Sequence, residues 1–276
     1  MKKLKIIIII SILLIIVILI SLTSHSNIDT IIGNFQKKYN NEEKEFLFNN
    51  EFNVNEMIGL NLHITNLKSN ELEKTIDLLK SANINMVRID LKSTEIIKND
   101  KIDISKYKSK IETLSKNNIK ILAIVDANFI TDLQNEEKLK IYEQYLEIIK
   151  NSLDKFIDYY EIINEPNVKY TTEDDFEFYQ KLIKTTKSKL NNDKIFIGGT
   201  MQENDNNFNK KILEKDLLKN IDNFSFHYYN LKPDIYEYKN YIKKEINLLN
   251  DYGGFNKILL SETGMPSINR INGEQG

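Results

Sequence analysis

The sequence predicts an α/β fold, a (β/α)8 TIM barrel interrupted after its seventh strand and set behind an N-terminal hydrophobic helix. Three observations carry this expectation. Short apolar runs rich in β-branched residues alternate with amphipathic stretches of helical period along most of the chain. Several runs are apolar at consecutive positions, as in Ile121-Leu122-Ala123-Ile124-Val125, which requires burial on both faces and therefore a parallel sheet. The strand starts recur at intervals that fit one strand-plus-helix unit of about 30 residues or more.

In chain order, the first segment stands outside the barrel. Lys2, Lys3 and Lys5 precede Ile6–Leu22, which only Ser11 and Ser21 interrupt. That length lies between the apolar stretch of a cleaved signal and a membrane-spanning helix. Residues 1–23 are therefore expected to be a signal-anchor or a signal peptide, with Ser24-His25-Ser26 offering a small-residue cleavage site. The lysines stay inside, so the C-terminal domain is expected outside a single-pass cell-membrane anchor, or secreted if the signal is cut. Residues 24–55 are polar and read as a stalk. The barrel is expected over 56–276.

Its strands are expected at Met57–Leu62, Met86–Leu91, Lys120–Val125, Tyr159–Ile163, Ile195–Gly199, Phe224–Tyr228 and Lys257–Leu260. Helical stretches lie between them, such as Glu71–Ala82 with Leu72, Ile76, Leu79 and Ala82 on one face, and Phe176–Leu190. A barrel of about 250 residues beginning near residue 57 should reach roughly residue 305. The sequence stops at Gly276, so the eighth strand and helix are expected beyond it. Truncation is preferred to a seven-stranded barrel because an open barrel leaves two unpaired strand edges.

Composition removes several function classes. The 38 Lys plus Arg face 40 Asp plus Glu, a formal charge of −2 with both signs interspersed, which gives no basic stripe for nucleic acid. There is no Cys and there are only three His, so thiolate chemistry and a histidine-rich metal centre are not expected, nor is any cofactor.

Barrel enzymes place reactive groups at the carboxyl ends of the strands. That rule selects Asn61 and His63, Arg88 and Asp90, Asp126, Glu165, His227 and Tyr229, and Glu262. Glu165 and Glu262 each close an apolar strand, and their strands face one another across the barrel mouth. Two carboxylates about 5–5.5 Å apart are the machinery of a retaining glycosidase, one protonating the leaving oxygen and the other attacking the anomeric carbon. Either Glu alone is as well read as a polar strand end.

The local sequence adds a resemblance. Tyr160-Glu161-Ile162-Ile163-Asn164-Glu165-Pro166-Asn167, Met86-Val87-Arg88-Ile89-Asp90-Leu91, Asn118-Ile119-Lys120-Ile121-Leu122-Ala123, Ile197-Gly198-Gly199, Phe224-Ser225-Phe226-His227-Tyr228-Tyr229 and Ser261-Glu262-Thr263-Gly264 resemble clan A glycoside hydrolases. The likeness looks closest to glycoside hydrolase family 39 and related bacterial exopolysaccharide glycosidases, and Glu274-Gln275 resembles the stretch before their last unit. The resemblance implies that Glu165 is the acid/base and Glu262 the nucleophile. It implies that Asn164 binds the sugar 2-hydroxyl and that Arg88 and Tyr229 hold the nucleophile ionised and oriented. His227 and His63 are expected on substrate hydroxyls, unless they are structural histidines. Asp126 reads equally as a subsite contact or a helix cap.

Two departures accompany the resemblance. Such enzymes usually carry Trp where Lys92-Ser93 and Met265 stand, and this chain has no Trp. Tyr170, Tyr228, Tyr229 and Phe129 can stack instead, although a buried Tyr is more often core. The expected partner is a carbohydrate, with the membrane engaged through the N-terminal helix. The competing expectation is a catalytically silent barrel that binds glycan at the cell surface. A phosphodiesterase is disfavoured, because the sequence has neither a metal-ligand cluster nor a glycine-rich phosphate loop beyond Gly198-Gly199.

Overall fold

The computed structural model describes residues 59–98, 101–128, 135–201, 207–215, 223–229, 235–253 and 257–264. The expected hydrophobic helix, the stalk, Phe129, Met265 and Glu274-Gln275 lie outside the described residues.

Seven parallel strands pair in chain order: β1 (Gly59–Asn61), β2 (Met86–Leu91), β3 (Lys120–Val125), β4 (Tyr159–Ile162), β5 (Ile195–Thr200), β6 (Asn223–Tyr229) and β7 (Lys257–Gly264). Between them run α1 (Ser69–Ser81), α2 (Ser105–Lys116), α3 (Asn135–Leu153), α4 (Glu173–Lys189), α5 (Asn207–Glu214) and α6 (Ile235–Asp251). β2 and β3 begin and end where the apolar runs do. β7 runs past the expected Leu260, because the polar Ser-Glu-Thr-Gly tail keeps pairing with β6 up to Tyr229↔Gly264. No eighth strand stands beside β1 or β7 among the described residues.

Alternation along each strand sorts side chains to two faces. Outward residues such as Val87, Ile89 and Leu91 of β2 and Ile121, Ala123 and Val125 of β3 pack on Leu72, Ile76, Ile111, Tyr145 and Leu182 of the helices. On the β6–β7 side, Phe224, Phe226 and Tyr228 meet Tyr241 and Leu249 of α6. Inward residues form a second cluster, in which Met86, Leu122 and Phe196 pack with Tyr159 and Leu259. Each fully buried side chain of this size contributes about 1.5–3 kcal/mol.

The inward side chains show that the sheet is curled. β2 and β7 are five strands apart in the sheet order, which in a flat sheet is roughly 24 Å at about 4.8 Å per strand. Arg88 Nη1 of β2 nevertheless lies 2.8 Å from Glu262 Oε2 of β7. Lower down, Lys257 Nζ of β7 sits 4.6 Å from the ring centre of Tyr159 on β4. The seven strands therefore form a nearly closed barrel with helices outside.

Candidate active site

Simple alternation brings Arg88, Glu161 and His227 to the inner face near the carboxyl ends of β2, β4 and β6. Glu262 does not follow alternation. On β7, Lys257 and Leu259 point inward, which would send Glu262 outward. The register with β6 slips between Phe226↔Leu260 and His227↔Glu262, leaving Ser261 without an opposite residue. This bulge re-aims Glu262 into the barrel.

Glu165 is placed by unusual backbone. Ile163 has φ +61° and Glu165 φ +51°, a left-handed conformation that costs a β-branched residue most. Each such position stores about 1–3 kcal/mol that the surroundings must hold. The Glu165 N–H donates to the Gly199 carbonyl (3.0 Å). The Asn167 amide pairs with both the N–H and the carbonyl of Met201 at 2.9 Å. These contacts staple the turn after β4 to the end of β5. The glycines there are required by shape: a Cβ on Gly198 would lie 2.0 Å from the Ser225 carbonyl oxygen, and one on Gly199 would lie 2.9 Å from Glu161 Oε1.

Arg88, 7 % exposed, is the hub. Its Nη1 donates to Glu262 Oε2 at 2.8 Å and makes a long 3.5 Å contact to Asn61 Oδ1. Its Nε donates to Glu161 Oε1 at 3.1 Å, and Nη2 donates to the same oxygen. Nη2 also donates to Asn164 Oδ1 (2.6 Å) and faces His227 Nε2 (3.3 Å). Burial opposes the guanidinium charge, but Glu161, then Glu262 and Asp90, more than offset it and raise its proton affinity. Glu161 is fully buried. Burial disfavours its ionised form most strongly, yet Arg88, His227 and the hydrogen bonds around it together outweigh this and hold the carboxyl below its ordinary range. The Ser261 hydroxyl favours the same charged form, although Ser261 Oγ and Glu161 Oε2 fall short of a formed hydrogen bond.

The hub orients its neighbours by elimination. A guanidinium only donates, so the Asn164 oxygen faces it and the Asn164 NH2 is turned away, free to donate elsewhere. His227 Nδ1 faces the Glu165 carboxylate, which only accepts, so the ring proton is assigned to Nδ1 and Nε2 is left toward the guanidinium. That Nδ1–H donates to Glu165 Oε1 at 3.2 Å and lies 3.8 Å from Glu262 Oε2. The two carboxylates thus meet across one ring nitrogen, and their oxygens are no further apart than those two distances laid end to end. The His227 hydrogen bond, against some burial, holds the Glu165 carboxyl below its ordinary range. On the outer side the Tyr229 hydroxyl donates to Glu262 Oε1. Burial and then that bond raise the proton affinity of the phenol.

The remaining candidates are less central. His63 is largely exposed, with Nδ1 3.4 Å from Asp90 Oδ2. Asp126 accepts from the Ser93 N–H (2.8 Å) and from Asn128 Nδ2 (2.9 Å), which ties down the chain after β2. It also lines a cleft of about 210 Å³ beside Asn164, with Asp90, Lys92, Thr94 and Lys169. A larger groove of about 410 Å³, lined by Lys210, Lys243 and Asp251, lies along α5 and α6 with no strand-end residue in it. Two expected stacking platforms are corrected. Tyr228 points outward into the aromatic cluster with Tyr238 and Tyr241, since it alternates with the inward His227. Tyr170 packs on Phe178 and Tyr179. Glu161 had no role in the sequence reading, although a carboxylate inside a two-sided apolar strand is itself a signal. Among the described residues there is no cluster of metal-ligating side chains, and no helix is long and apolar enough to cross a membrane.

No family model matches the sequence, and no curated protein matches it. Solved structures do. A family 39 glycoside hydrolase from Bacteroides cellulosilyticus WH2 superposes with a TM-score of 0.57 at 18 % identity, over 75 % of this chain and 48 % of its own. An endo-1,4-β-mannanase from Rhizomucor miehei gives 0.54 at 15 % identity, over 75 % and 77 %. The endoglucanase Cel5A of Thermotoga maritima gives 0.51 at 16 %, over 75 % and 79 %. The chain thus spans about half the length of the family 39 structure. At these identities the likeness shows a shared fold.

Proposed function

We propose that this chain is a retaining glycoside hydrolase that cleaves O-glycosidic bonds of a poly- or oligosaccharide by double displacement. The carrying observation is that the carboxylates of Glu165 and Glu262 meet across the His227 ring, at the carboxyl ends of β4 and β7. Those two contacts bound the separation of the facing oxygens and accommodate the spacing of about 5–5.5 Å that belongs to retention. The fold shared with a glycoside hydrolase, a mannanase and an endoglucanase supports the same reading.

In this reading Glu262 attacks the anomeric carbon while Glu165 gives its proton to the departing oxygen. Glu165, now a base, then takes a proton from water, which displaces Glu262 from the same carbon and restores both residues. Arg88 and Tyr229 keep Glu262 aimed during both steps. The Asn164 NH2 is turned toward the 2-hydroxyl of the sugar. In the empty site His227 holds Glu165 in the base form, which serves the second step. A bound sugar strips water from the exposed side of Glu165, and that desolvation raises its proton affinity for the first. We place this activity outside the cell, held to the membrane by the hydrophobic residues 1–23 or released by cleavage after them.

The test is to incubate the full-length protein with a panel of aryl glycosides and follow the product anomer by proton NMR. Retention, with an activated 2-fluoro glycoside labelling Glu262, is the expected result. An inverted product or a label elsewhere contradicts it. Saturable glycan binding without cleavage points instead to a silent glycan-binding barrel.

A further inference from the structure

We propose that Glu161 is a positioning residue for this reaction: it grips Arg88 from below and shares its charge, so that Glu262 is oriented without losing its reactivity. The proposal rests on Glu262 being the nucleophile. Glu161 is 0 % exposed, so it cannot touch a substrate. A carboxylate taken that far from water is strongly disfavoured unless it is paired. Its partner is the one guanidinium that also holds Glu262. Oε1 of Glu161 accepts from both Nε and Nη2, a side-on grip that leaves Nη1 for Glu262 Oε2.

The surroundings are shaped for that carboxylate. Gly199 has no Cβ where one would crowd Oε1 at 2.9 Å. Ser261, the bulged residue beside Glu262, favours the charged form of Glu161 from β7. The other charged or titratable groups near the hub are Asp90 on β2 with its neighbour His63, His227 and Tyr229 on β6, and Glu165 beyond β4. One positive charge is therefore divided between two carboxylates. Without Glu161 it would fall undivided on Glu262, favouring the carboxylate and weakening its attack on carbon.

Glu161→Gln keeps the shape and one acceptor but removes the charge. With glutamate carboxyl carbons labelled with carbon-13 in the full-length protein, the Glu262 signal is identified by its loss in Glu262→Gln and titrated by NMR. In Glu161→Gln that signal's midpoint should move down relative to the parent, because a carboxylate sharing the guanidinium has been removed. On an aryl glycoside, kcat should fall about tenfold or more with KM within about twofold, the pattern of a lost transition-state contact. A midpoint that stays put or rises, in a variant that melts with the parent, overturns the proposal. If Glu161→Gln does not fold, Glu161→Asp decides: it keeps the charge, so the midpoint should hold while kcat falls, and a downward move overturns the proposal. The titration needs no turnover, so its failure is distinct from a chain that cleaves no glycoside, which would count against Glu262 as nucleophile.

Discussion

The same strands build two unlike layers inside the barrel. Low down, Met86, Leu122, Tyr159, Phe196 and Leu259 pack as an apolar layer on regular, alternating backbone. A few residues on, β2, β4, β6 and β7 carry Arg88, Glu161, His227 and Glu262, with a bulge at Ser261 and left-handed backbone at Ile163 and Glu165. The lower layer obeys every rule that makes a strand stable. The upper layer breaks several, and each break aims one side chain at the same point. Stability should therefore be concentrated below and activity above, and the two should separate under mutation.

The largest separation is expected for Glu262→Ala. Turnover of any glycoside should fall by about 10⁴-fold or more, as when a nucleophile is lost, while the melting temperature moves by no more than about 3 °C. Azide should restore some activity and give a product inverted at the anomeric carbon. A fall in melting temperature matching the loss of activity would break the comparison. Phe196→Ala is the mirror case. Phe196 is fully buried, so its truncation should destabilise by about 3–5 kcal/mol in denaturant titration, while kcat per folded molecule changes little.

Gly199→Ala probes the seam between the layers. Its φ of +59° and the 2.9 Å approach to Glu161 Oε1 predict a loss of about 1–3 kcal/mol together with a lower kcat. Thermal melts beside kinetics would show both; a loss of stability alone would place Gly199 with the lower layer. The smallest effect is a pH dependence. The folded-state proton affinity of Glu161 is depressed from the ordinary value of 4.5. The stability from its pairing is thus complete above pH 4.5 and is lost as pH falls below it toward the lowered value. Acid unfolding curves should accordingly be shallower in that interval for Glu161→Gln than for the parent.

The lower layer was legible in the sequence and the upper layer only in part. Consecutive apolar positions in β3 and the regular spacing of units fix a parallel barrel, because burial on both faces leaves little else for such strands to do. Arg88, Glu165, His227 and Glu262 could be selected because strand ends are where barrels expose chemistry. What aims them was not readable. The Ser261 bulge depends on register with β6, which the apolar run ending at Leu260 does not report. The left-handed turn at Glu165 depends on Gly199 of β5 and on Met201 just after it, both distant in sequence. Tyr228 beside Tyr229 shows the limit most plainly: one step along a strand separates an outer-core residue from one that touches Glu262.

The division of labour between the two carboxylates is tested most directly by Glu165→Ala on two glycosides of one sugar that differ only in leaving group. An activated aryl leaving group needs little protonation, so formation of the glycosyl-enzyme should survive nearly intact. With an alkyl or sugar leaving group, the same step should fall by about 10²–10⁴-fold, the usual contribution of a general acid. Pre-steady-state release of the leaving group measures that step for both. Equal losses on the two substrates, or no loss on either, would contradict the assignment of Glu165 as acid/base and with it the double-displacement reading.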